Sequence, residues 1–134
     1  MKKKYILNAN ILDPSNSLNE KGGLIINEQG IIEAIGKKVN KENIPSKEKI
    51  IDAKNNHLFP GIIDMRVFVG EPGFEYKENF RTLSKAALSG GVTSAITMPN
   101  TSPVIDNVSM VDFLKRRGRD KSKINIFPCA SLTK

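Results

Sequence analysis

At 134 residues, with 39% apolar and 26% charged side chains, the chain has the composition of an ordinary folded domain with a real core. No apolar run approaches the roughly 18 residues of a membrane-spanning helix, and a single cysteine, Cys129, excludes an internal disulfide and suits a reducing cytoplasm. The net charge of +7 raises nucleic acid as a partner. The basic residues are dispersed, however, apart from Lys2-Lys3-Lys4 and the run at 115–123. The two tyrosines and six phenylalanines do not interleave with them as base stacking would require. Neither nucleic acid nor a membrane is therefore expected as a partner.

The opening Met1-Lys2-Lys3-Lys4-Tyr5-Ile6-Leu7 is basic and then briefly apolar. Asn8 and Asn10 interrupt it, which predicts a first β-strand rather than a signal peptide. Short strand signals follow, separated by turns: KYILNANIL, the turn DPSNS, GGLIINEQG, IIEAIG, a polar stretch at 37–49, then IIDAKNN. Gly30, after Asn27-Glu28-Gln29, predicts a hairpin turn. Residues 1–58 thus read as a small all-β portion with polar connections.

From residue 59 the rhythm becomes strand, loop, helix. GIIDMRVFV predicts a strand on which Arg66 and Phe68, two apart, share a side. YKENFRTLSKAALSGG predicts a helix with Phe80, Leu83, Ala87 and Leu88 along one stripe and Gly90-Gly91 at its end. VTSAITM is a second strand, NVSMVDFLKRRGRD a second helix, and KINIFPCASL a third strand. Strands alternating with helices predict an α/β fold with a parallel sheet. About three βα units cannot close a barrel of eight, so residues 59–134 are expected to be part of something larger.

Few single motifs carry chemistry. The Gly-Gly pairs at 22–23 and 90–91 lack the context of a phosphate-binding loop. His57 is the only histidine and precedes the strand, so it reads as a surface or packing residue. Cys129, at the end of the third strand, reads as inert packing.

A combination is more specific. PGIID at 60–64 leads to EPGFEYKE at 71–78 and then to AALSGGVTSAITMPNTSPVID at 86–106. In these segments the chain resembles the dihydroorotases of the amidohydrolase superfamily, relatives of allantoinases and hydantoinases. The leading segments GLIINEQGIIEAIG and IIDAKNNHLFPGIID extend the resemblance over nearly the whole chain. It implies the N-terminal part of a (β/α)8 barrel, preceded by a β-sandwich portion formed with the other chain end.

The resemblance also implies a site. The family's first barrel strand ends in Asp-x-His-x-His followed two residues later by Arg. The histidines hold zinc, which supplies a hydroxide for attack on a cyclic amide. The Arg, with the Asn of a Met-Pro-Asn-Thr segment, grips the substrate carboxylate. Here Asp64 and Asn100 keep their types, while the histidine positions are Arg66 and Phe68 and the arginine position is Gly70. A guanidinium has no lone pair to offer zinc, a phenyl ring has no donor, and glycine has no side chain. The family's other ligands fall beyond residue 134. The chain is therefore expected to have no catalytic residue, no metal ligand and no cofactor, with Asn100 a vestigial substrate-binding residue. Arg66 is expected to pair with Asp64 or Glu71 and fill the mouth beside Phe68, or alternatively to bind an anion.

By the same resemblance, the function is that of a non-catalytic dihydroorotase-like partner of aspartate carbamoyltransferase in pyrimidine biosynthesis, cytoplasmic and oligomeric. A cyclic amidohydrolase with an unusual site, and a non-functional truncated remnant, are the alternatives.

Overall fold

The structure, a computed structural model, describes residues 2–45 and 49–133. Of the polar stretch at 37–49, residues 46–48 lie outside the described residues. The chain forms two compact units, Met1–Pro60 and Gly61–Lys134.

The first unit is one five-stranded sheet. Its strands are β1 (Lys4–Asp13), β2 (Leu18–Ile26), β3 (Ile32–Gly36), β4 (Ile50–Asp52) and β5 (His57–Leu58). They are ordered β3-β2-β1-β4, with β5 also paired to β1. The β1–β2 and β2–β3 pairs are antiparallel, and β4 and β5 run parallel to β1. Alternate residues of β1, namely Tyr5, Leu7, Ala9 and Ile11, are buried, as a strand with one covered face requires. Tyr5 and Leu7 meet Val39 and Ile44 from the long connection to form the core of this unit. The predicted turn at Gly30 is present: Gly30 takes a φ of +85°, and the Asn27 side chain accepts from the backbone N–H groups of Gln29 and Ile31. β2 begins at Leu18, earlier than the glycine pair suggests, and β5 places His57 in register with Asn10.

The second unit holds β6 (Ile62–Val67), α1 (Phe80–Ser89), β7 (Val92–Thr97), α2 (Val108–Lys121) and β8 (Asn125–Pro128). The three strands form a parallel sheet in the order β6-β7-β8, with a helix in each connection. Val69, Phe80, Leu83, Ile105 and Leu114 make the core, and Val67, Met110, Val111 and Ile126 pack against it. α1 starts at Phe80 rather than Tyr76 because Asn79 caps it, accepting from the N–H groups of Arg81 and Thr82 while Thr82 answers back to the Asn79 N–H. Of the predicted stripe, Phe80 and Leu83 are buried, whereas Leu88, in the last turn, is exposed.

Candidate functional site

Open α/β sheets bind ligands beyond the carboxyl ends of their strands, and the chemistry-bearing residues gather at that end of β6 and β7. β6 does not run straight into its loop. Asp64 pairs with Ala95 and Val67 with Thr97, so β6 carries one extra residue across Met65-Arg66. The Asp64 carboxylate accepts the Arg66 backbone N–H at 3.0 Å, a local bond that stabilises this bulge. Beyond it, Val69 is buried in the core while Arg66 and Phe68 line a cavity of about 410 Å³ with Met98, Pro99 and Asn100.

The loop after β7 is tied down by its own backbone. Met98 donates its N–H to the Val67 carbonyl at 2.9 Å, Ile105 donates to the Pro99 carbonyl at 3.1 Å, and the Thr101 hydroxyl donates to the Pro103 carbonyl at 2.8 Å. Thr101 and Ile105 are buried, which leaves Asn100 exposed at the cavity between two anchors.

The expected pairing of Arg66 with Asp64 or Glu71 does not occur. Among the described residues the Arg66 guanidinium has neither an ion-pair partner nor a hydrogen-bond acceptor, and its only bond to Asp64 is through the backbone. Glu71, only 2% exposed, is engaged elsewhere. One carboxylate oxygen accepts the Phe80 N–H at 3.0 Å, at the start of α1, and the other accepts Arg117 Nε from α2. The Glu71 hydrogen bond and charge raise the Arg117 guanidinium above its ordinary value. The sequence treats Arg117 as one of a basic run at a helix end. Its separation of three from the buried Leu114, which puts both on one helix face, is the signal that distinguishes it.

Phe68, on the cavity wall, lies 6.4 Å from Phe74 between ring centroids, and Lys77 Nζ lies 5.0 Å from the centre of the Phe74 ring. Gly70 has a φ of +36°, and a Cβ there would stand 2.5 Å from the Phe74 carbonyl oxygen. This turn admits no side chain without moving the backbone.

The strand end does not fit a zinc ion. Arg66 and Phe68 offer no electron pair, and Asp64 is the single carboxylate on this segment, with one oxygen already accepting a hydrogen bond. Among the described residues no three His, Cys, Asp or Glu side chains converge. His57 is exposed in the other unit, and Cys129, half-buried, donates its N–H to the Thr97 carbonyl at 2.9 Å. No helix among the described residues is long and apolar enough to cross a membrane.

The fold is that of the N-terminal part of an amidohydrolase barrel. It matches the L-hydantoinase (dihydropyrimidinase) of Arthrobacter aurescens with a TM-score of 0.79 at 20% identity, over 97% of this chain and 28% of that one. A dihydro-orotase-like family model matches residues 55–134, and the chain belongs to this dihydroorotase-like family. It is 40% identical over 128 residues to the dihydroorotase of Pelobacter propionicus and 40% identical over 129 residues to that of Ehrlichia chaffeensis. Each match covers 96% of this chain and 29% of the relative, so the chain spans under a third of the length of these relatives.

Proposed function

We propose that the chain is a dihydroorotase-like protein without zinc-based catalysis, acting as a non-catalytic partner of aspartate carbamoyltransferase in pyrimidine biosynthesis. Residues 1–58 supply part of a β-sandwich, and residues 59–134 open the barrel. The observation that carries this reading is the strand end Asp64-Met65-Arg66-Val67-Phe68-Val69-Gly70, where family resemblance would place two zinc-binding histidines and a carboxylate-binding arginine. Gly70 strengthens it, since the turn there has no room for an arginine side chain. Asn100 is then a remnant of a substrate grip. What survives is a framework of the buried Glu71 with Arg117 and the α1 cap, which suits a protein whose work is done by its outer surface. Neither nucleic acid nor a membrane enters this reading, and the setting is a cytoplasmic oligomer.

The second reading is a metal-dependent cyclic amidohydrolase with an unusual site. The 40% identity to proteins named dihydroorotase favours it. One experiment separates the two: purify the protein from its own cells on an N-terminal tag, identify co-purifying chains by mass spectrometry, and measure zinc in the same sample. A carbamoyltransferase without stoichiometric zinc is the expected result. Bound zinc together with hydrolysis of a cyclic amide would overturn it in favour of the second reading.

A further inference from the structure

We draw no further inference here: the strongest candidate, the face of the β6-β7-β8 sheet opposite its core, where Ile63, Met65 and Phe127 are exposed, carries no proposal because nothing in the structure shows what covers it.

Discussion

Removing either partner of the Glu71–Arg117 pair tests whether this contact organises the second unit. Glu71→Ala deletes a carboxylate with 3% side-chain exposure that serves two donors, the Phe80 N–H at 3.0 Å and Arg117 Nε. Each hydrogen bond to a charged group contributes about 1.5–3 kcal/mol. The Arg117 side chain is 42% exposed, so its stranded charge regains much of its hydration, and the lower end of that range applies. Glu71→Ala should then cost about 3 kcal/mol. Arg117→Met removes one bond and leaves the buried carboxylate with the Phe80 N–H alone, for about 2 kcal/mol. The double variant should cost little more than Glu71→Ala by itself, giving a coupling of about 1.5 kcal/mol. Urea unfolding followed by far-UV circular dichroism on all four proteins closes the cycle. Single-variant losses that add to within about 0.5 kcal/mol would show that the two side chains are merely neighbours.

Two further outcomes follow from other contacts. A Cβ on Gly118 of α2 would stand 2.9 Å from the Ile126 Cβ and 3.2 Å from its Cγ1. Gly118→Ala should therefore destabilise by about 1 kcal/mol despite its helix propensity. The same change should cost less in an Ile126→Ala background, which removes the Cγ1 contact and keeps the Cβ one, and thermal melts showing an equal cost in both would refute the packing argument. Acid should also weaken the fold. Asp13 lies below its ordinary 3.8 because the Asn16 amide and then Ser15 donate to it, and Asp52 because the Lys54 N–H and then Asn8 do. A carboxylate lowered on folding contributes stability that is complete above its unfolded value and lost as pH falls through the folded one. Urea midpoints should hold from pH 7 to about 5 and drop below about 4, less steeply in Asp13→Asn and Asp52→Asn. A drop of equal steepness in those variants would refute the assignment.

The parts of this protein legible in its sequence are those set by neighbours along the chain. Alternation exposes the buried row Tyr5, Leu7, Ala9, Ile11, and a spacing of three exposes Phe80 and Leu83. The turn at Gly30 follows from residues within three positions of it. The site is legible in membership but not in arrangement. Arg66, Phe68 and Asn100 can be named from the sequence, yet strict alternation cannot foresee the extra residue at Met65-Arg66, which comes from a side-chain bond to the backbone two residues on. The assignment of Glu71 as a partner for Arg66 fails for a different reason. Five positions separate those two residues and forty-six separate Glu71 from Arg117, and sequence proximity favours the first pair. The fold decides otherwise, because α2 packs beside α1 and sets a guanidinium against the carboxylate that already holds the start of α1. With Glu71 held by Arg117 and the Phe80 N–H, no acidic side chain among the described residues forms an ion pair with Arg66.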